Sequence, residues 1–234
     1  RAASAKLAHG ANILVKKGDA LIAFNTDGRG CVGYLERTGF SFNGAKVAVC
    51  GTGPTALAIL HAAAIAGASE GLLLSRDKER AREVLDRYVD EFGTLAHATV
   101  DLQAAVDGHR SFLTAYDETA FKFGSYTTST QAIAAADLVI NATPLGMREG
   151  DPAPFDVSLF HEGQRAFDVV YAHGETAFAA GAKAAGCTFA DGGGMLVAQA
   201  VATVQAVCDV SGIDCELSFD ELFEIMANAA GFNV

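Results

Sequence analysis

The 234-residue chain lacks most of the features that would assign it to other classes of protein. It has no run of lysine and arginine, and its net charge is −11. So acidic a chain repels nucleic-acid phosphate and anionic lipid, which argues against both as partners. The five cysteines, Cys31, Cys50, Cys187, Cys208 and Cys215, form no C-x-x-C pair, and none stands beside a histidine at metal-ligand spacing. No metal site is therefore expected. The odd count and wide spacing indicate reduced thiols in a cytoplasmic protein, with Cys50 serving as a small buried hydrophobe. No apolar run is expected to approach the roughly 18–20 residues of a membrane span. No basic start leads into an apolar signal core. Internal repeats and low-complexity linkers are also lacking.

Half of the residues are apolar, and glycine and alanine are abundant. This suits a packed α/β protein, of a length for one large domain or one domain and part of another. The richest local signal begins at residue 46. The apolar, partly β-branched run Lys46–Cys50 reads as a buried strand, and it stops at Gly51-Thr52-Gly53-Pro54-Thr55-Ala56. Residues 55–66 then read as a helix that Gly67 ends. A strand, glycine turn and helix in this order lay a diphosphate on free helix amides at the positive end of the helix dipole. Gly51 permits the turn, Gly53 lets backbone approach phosphate, and Ala56 lets helix and strand pack closely. Pro54 fits a first helical turn, where an amide hydrogen would be unpaired anyway.

Further strands are expected at 71–75, 121–127, 137–142, 165–171 and 187–190, and helices at 78–92, 129–136 and 175–185. Between 93 and 120 a helix after Asp101 and a loop near Asp117 are expected. Strands alternating with helices predict a doubly wound parallel sheet of the Rossmann type. The chain ends differ from this pattern. Residues 1–27 precede the glycine-turn strand and include the strand-like run Ala20–Phe24, while 195–209 and 219–229 read as helices, the latter capped by Ser218. The expected organisation is residues 1–27 as part of a second α/β substrate domain, 28–192 as the NAD(P)-binding domain, and 193–234 as helices packing back toward the substrate domain.

The second strand of such a unit decides between cofactors. An NAD site usually carries an acidic residue there, on the ribose hydroxyls. This chain has Ser75-Arg76, and Arg76 can clasp a 2′-phosphate with Lys78 and Arg80 adding positive potential. Asp77 speaks for NAD instead, so NADP is favoured and NAD is the alternative. Asp27, in Asn25-Thr26-Asp27-Gly28, reads on its own as a helix cap. Likewise Tyr171 reads as a core tyrosine or a ligand, Gln199 as a solvated helix residue or a ligand, and Asn12 as a turn residue or a ligand. His61 and His173 are expected to have no chemical role.

Six motifs in chain order resemble those of the shikimate dehydrogenase family, which includes the quinate/shikimate enzymes. They are Gly10-Ala11-Asn12, Asn25-Thr26-Asp27-Gly28, the glycine turn, Asn141-Ala142-Thr143-Pro144-Leu145-Gly146-Met147, Asp168 to Tyr171 followed by Thr176, and Gly194-Met195-Leu196 with Gln199. The resemblance implies reversible NADPH-dependent reduction of 3-dehydroshikimate to shikimate, a step toward chorismate and aromatic amino acids. Asp27 would be the catalytic carboxylate, acting on the reacting oxygen together with a lysine. Asn12, Tyr171 and Gln199 would bind substrate hydroxyls; Thr143, Val169, Gly192 and Met195 would line the nicotinamide side. An NAD-preferring quinate/shikimate dehydrogenase is the alternative enzyme, and a non-catalytic nucleotide-binding module the alternative of another class. The family's lysine and carboxylate-gripping serines lie upstream of its G-A-x-N. This chain starts nine residues before Gly10, so by itself it is expected to bind nucleotide and to turn over poorly. A homodimer is left open.

Overall fold

A computed structural model describes residues 1–103 and 119–232. Its centre is a six-stranded parallel sheet. The strands are β3 (Lys46–Cys50), β4 (Glu70–Ser75), β5 (Ala120–Ser125), β6 (Leu138–Asn141), β7 (Arg165–Asp168) and β8 (Thr188–Asp191), arranged in the order β5-β4-β3-β6-β7-β8. Chain order reverses at β3, which pairs with β4 on one side and β6 on the other. This is the expected doubly wound Rossmann sheet. Val47, Ala48, Val49 and Cys50 are all buried, as befits a central strand covered on both faces.

Alternate residues feed two apolar layers. Val47, Val49, Leu73, Leu138, Ile140 and Phe167 face helices α3 (Pro54–Ile65) and α4 (Lys78–Gln103). Ala48, Cys50, Leu72, Leu74 and Val139 face Ile133, on the short helix α5 (Thr130–Ala134), and Phe178, on α6 (Ala177–Ala184). Phe178 packs edge to face against Phe155 and Phe160 in that second layer, and those two rings are tilted against each other, with ring centroids 5.2–6.0 Å apart. Helix α3 has apolar residues all round and is buried nearly throughout, so packing rather than amphipathicity holds it. The expected stop at Gly67 is present, at φ +96°.

The chain ends add a short helix α1 (Ala3–Leu7), an antiparallel hairpin of β1 (Ile13–Lys17) and β2 (Ala20–Phe24), and helices α2 (Asp27–Arg37), α7 (Gly192–Ser211) and α8 (Phe219–Ala230). Leu7, Cys31 and Leu35 join the core of the large sheet, and so does Met195. Ser218 caps α8 through a capping box with Glu221, as its place before an apolar run suggested. Arg37 on α2 pairs with Asp220 and Glu224 of α8 and lies over the Phe223 ring.

Several boundaries differ from expectation. Strand β7 stops at Asp168, three residues early, because that carboxylate turns inward to bond the following loop. Helix α4 continues past residue 92 to Gln103, so the expected helix start after Asp101 falls within it, and the loop expected near Asp117 lies outside the described residues. Helix α7 begins at Gly192 rather than Met195, since the Asp191 side chain accepts from the Gly193 amide and takes the three glycines into the first turn. At 20 residues it is, among the described residues, the one helix long and apolar enough to cross a membrane. That corrects the expectation that no apolar stretch approaches this length, although half of its apolar window is buried inside the protein.

Candidate functional site

Three turns converge at the carboxyl end of β3, where an open α/β sheet leaves a crevice at its reversal point. The first is the glycine turn. Gly51 has φ +116°, and a Cβ there would stand 2.6 Å from the Ala142 carbonyl oxygen beyond β6, so glycine is required on both counts. A Cβ on Gly53 would meet nothing within 4 Å. Gly53 is also the N-cap residue of α3, with no side-chain cap, and Pro54 stands at the first helical position. The first turn of α3 therefore has no side-chain acceptor for its amides, and the approach over Gly53 is open, a cradle fit for phosphate oxygens. Thr52 is half-buried in this turn and Ala56 is fully buried beneath it.

The second turn carries Asp27 at the start of α2. Its amide donates to Asn25 Oδ1 at 3.0 Å. Its Oδ1 accepts from Asn12 Nδ2 at 2.9 Å, and its Oδ2 accepts from Thr55 Oγ1 at 3.0 Å. The third turn supplies Asn12. That side chain also donates to Thr26 Oγ1 at 3.0 Å and accepts from the Thr26 amide at 3.0 Å, while Asn25 Nδ2 donates to the Gly10 carbonyl. Two glycines make the approach possible. A Cβ on Gly28 would be 2.1 Å from the Ala58 carbonyl oxygen on α3, and one on Gly10 would be 2.8 Å from Pro54 Cβ. Asp27 is thus a half-buried carboxylate with both oxygens held.

The loop after β6 forms the opposite wall. Asn141 is fully buried, and its Oδ1 accepts from the Thr143 amide at 3.1 Å and the Thr143 hydroxyl at 2.6 Å. Its Nδ2 donates to the Leu145 carbonyl and to Asp168 Oδ1. Asp168 accepts further from the Thr176 hydroxyl and the Val170 amide. Burial pushes the Asp168 carboxyl above the usual carboxylate range, and these donors pull it back in part. Asn25, Thr26, Asn141, Asp168 and Thr176 were not singled out from sequence. Each lies within a quoted motif, but nothing in a sequence tells a brace from a ligand.

The remaining predicted positions are more dispersed. Gly192 lies against the Val169 carbonyl, where a Cβ would come within 2.0 Å, and beside the Tyr171 ring, which is 38% exposed. Gln199 on α7 packs its backbone against Gly30, one turn along α2 from Asp27, and its side-chain amide makes no hydrogen bond among the described residues. Met195 is buried in the sheet core rather than open to the cleft. At the end of β4 the Ser75 hydroxyl accepts from the Asp77 amide at 3.3 Å, and the Asp77 carboxylate accepts from the Glu79 amide at the start of α4. Arg76 is exposed and makes no ion pair among the described residues. Tyr126 lies against the Gly51 amide; burial first, and Cys50 second, push its hydroxyl upward, against the pull of Arg76.

A cavity of about 460 Å³ lies at the other end of the sheet, lined in part by Asn43, Asp137, Gln164, Arg165 and Thr188. It is formed by strand starts, the wrong edge for a ligand of an open α/β sheet. Asp137 there is engaged with the Lys46 amide, and the Arg165 fork with Thr38.

Comparison with known proteins finds relatives along most of the chain. No family model matches the chain. The chain is 34% identical over 192 residues to the shikimate dehydrogenase (NADP(+)) of Moorella thermoacetica, covering 82% of this chain and 57% of that protein. It is 30% identical over 198 residues to a quinate/shikimate dehydrogenase of Escherichia coli, covering 84% and 62%. The chain thus spans about three-fifths of the length of the curated relatives it matches. Among solved structures it superposes on the ligand-free 5-ketofructose reductase of Gluconobacter sp. strain CHM43 with a TM-score of 0.69 at 26% identity, covering 97% of this chain and 72% of that one. The shikimate 5-dehydrogenase of Listeria monocytogenes, solved with shikimate and NAD, gives a TM-score of 0.71 at 22% identity, covering 96% and 70%, a likeness of fold.

Proposed function

The chain belongs to the shikimate dehydrogenase family, and from that premise we propose that it carries the dinucleotide site and the catalytic carboxylate of an NADP(H)-dependent oxidoreductase. The reaction is the reversible reduction of 3-dehydroshikimate to shikimate, carried out in the cytoplasm on a dissolved small molecule. Residues 28–192 form the nucleotide-binding domain, 1–27 belong to a substrate domain, and 193–234 pack back toward it. The observation that carries this reading is the carboxylate of Asp27, fixed by Asn12 and Thr55 beside an uncapped helix start.

NADP(H), when bound, supplies or takes up the hydride. The protein does the rest. The amides of Gly53, Thr55 and Ala56 would hold the diphosphate, and Arg76 would meet the 2′-phosphate as a planar fork donor. The neighbouring Asp77 no longer argues strongly for NAD, since its carboxylate caps α4. Asp27 accepts a hydrogen bond from the substrate oxygen and, paired with an ammonium group, holds the proton that the oxygen gains in reduction. Asn12, Tyr171 and Gln199 orient ring hydroxyls, and a site of such donors rejects analogues that would leave them unpaired. Thr143, Val169, Gly192 and Met195 shape the nicotinamide side, Met195 from beneath. The second reading, an NAD-preferring quinate/shikimate enzyme, has the acidity of Asp77 in its favour.

The test is equilibrium binding of NADP⁺ and NAD⁺ to the protein and to Arg76→Ala. Loss of a charged fork on a phosphate should weaken NADP⁺ about tenfold or more and spare NAD⁺. Equal loss for both cofactors would transfer the assignment to the NAD reading; binding of neither would end the proposal. Turnover of shikimate and quinate by the complete gene product then separates the substrates.

A further inference from the structure

We propose that Thr55 is a positioning residue that links occupancy of the dinucleotide turn to the orientation of the Asp27 carboxylate. Thr55 is the second residue of α3, so its amide belongs to the unpaired first turn that Gly53 leaves without a side-chain cap. Its hydroxyl leaves that turn in another direction and donates to Asp27 Oδ2 at 3.0 Å. One residue therefore has its backbone in the phosphate cradle and its side chain on the carboxylate.

The rest of the geometry makes this link stiff. Asn12 holds the other carboxylate oxygen at 2.9 Å, and Asn25 holds the Asp27 amide at 3.0 Å. With both oxygens bonded, rotation of the carboxylate plane breaks one bond or the other. Pro54 is wedged against Gly10, so the turn bearing Asn12 rests on the first residue of α3. The α2 helix meets α3 through Gly28, whose missing Cβ sets the separation of the two helix starts. A ligand that draws the first turn of α3 toward itself moves Thr55 Oγ1, and the carboxylate follows. The groups facing Asp27 from other elements, Asn12 and Thr55, are uncharged. The titratable neighbour on its own helix is the Cys31 thiol, which burial keeps neutral. The hydroxyl is thus the direct contact between α3 and the carboxylate.

This inference rests on the turn being a dinucleotide site, and the experiment separates the two. NADP⁺ is titrated into the protein and into Thr55→Val and Thr55→Ser, with backbone and side-chain amide signals followed by NMR. In the parent, signals of residues 53–57 and the Asn12 side-chain amide should move together. In Thr55→Val, nearly the same shape without the hydroxyl, the turn should still respond while the Asn12 signal stays still; Thr55→Ser should restore it. In the complete gene product Thr55→Val should lower kcat about tenfold, the worth of one hydrogen bond to a charged group, with KM little changed and Thr55→Ser close to parent. An Asn12 response that persists in Thr55→Val, or a Thr55→Ser that behaves like valine, overturns the link. An absent response at 53–57 in the parent overturns the dinucleotide reading and the link with it.

Discussion

Replacing Gly28 by alanine tests the packing that brings Asp27 to the cleft. The added methyl group would stand 2.1 Å from the Ala58 carbonyl oxygen, 2.7 Å from its carbon and 2.9 Å from Ala62 Cβ. The first two are backbone atoms of a buried helix and cannot rotate aside, so α2 and α3 must separate. Overpacking of this kind costs about 1–3 kcal/mol, and the backbone clash puts this site near the upper end. Alanine returns up to about 1 kcal/mol through helix propensity. The net loss is about 2 kcal/mol, which for a chain of this size lowers Tm by roughly 4–8 °C. The separation also stretches the 3.0 Å bond from Thr55 to Asp27. The partner experiment is Gly53→Ala, where the new Cβ meets nothing within 4 Å and φ is −84°. That variant should keep its Tm and lose dinucleotide affinity, because the methyl group occupies the phosphate approach. Thermal unfolding and a nucleotide titration on both proteins suffice. A Gly28→Ala protein as stable as its parent, or a Gly53→Ala protein that binds normally, would refute the reasoning.

Two further outcomes concern stability. Burial lowers the His61 imidazole from 6.5 to about 4, so between those values the unfolded chain binds a proton that the folded one refuses; stability should fall by about 3 kcal/mol as pH drops through that window, and His61→Phe should flatten the urea midpoint there. Asn141→Ala removes two donors and an acceptor from a buried network and leaves Asp168 short of a partner; a loss of about 3 kcal/mol in urea unfolding is expected, and an unmoved midpoint would show that the loop after β6 is braced elsewhere.

The parts of the fold that sequence made legible are those where one signal dominates locally. Lys46–Cys50 is an unbroken apolar run because both faces of the central strand are covered, and Ala20–Phe24 is apolar enough to read as a strand. Strand β1, its partner in the hairpin, is not legible because its apolar residues Ile13-Leu14-Val15 stop at Lys16-Lys17 and Val15 alone of its five residues is buried. The first turn of α7 was hidden by three glycines, each poor for a helix by itself. Within the site, the motifs located Asn12 and Asp27, but the bond between them spans 15 residues and that from Thr55 spans 28. Contacts of that range depend on how α2 crosses α3, which no local pattern encodes. Met195 shows the reverse case: its place in a motif suggested the cofactor face, while its burial puts it in the core.

The charge arrangement at the crevice has a consequence for how anions share it. The starts of both α2 and α3 open there, and each favours negative charge nearby. The α2 start carries its own anion, Asp27, whereas the α3 start has no acidic residue in its first turn and no side-chain cap. An incoming diphosphate therefore meets one satisfied helix end and one vacant end. Repulsion from Asp27 would count against it, yet both carboxylate oxygens are covered by neutral donors, from Asn12 and from Thr55. Those donors hold the carboxylate and spread part of its charge into the two flanking turns. The same two bonds that orient Asp27 for chemistry thus allow an anion to occupy the adjacent helix end, and a variant lacking either donor should react more slowly while the vacant start of α3 still receives the dinucleotide.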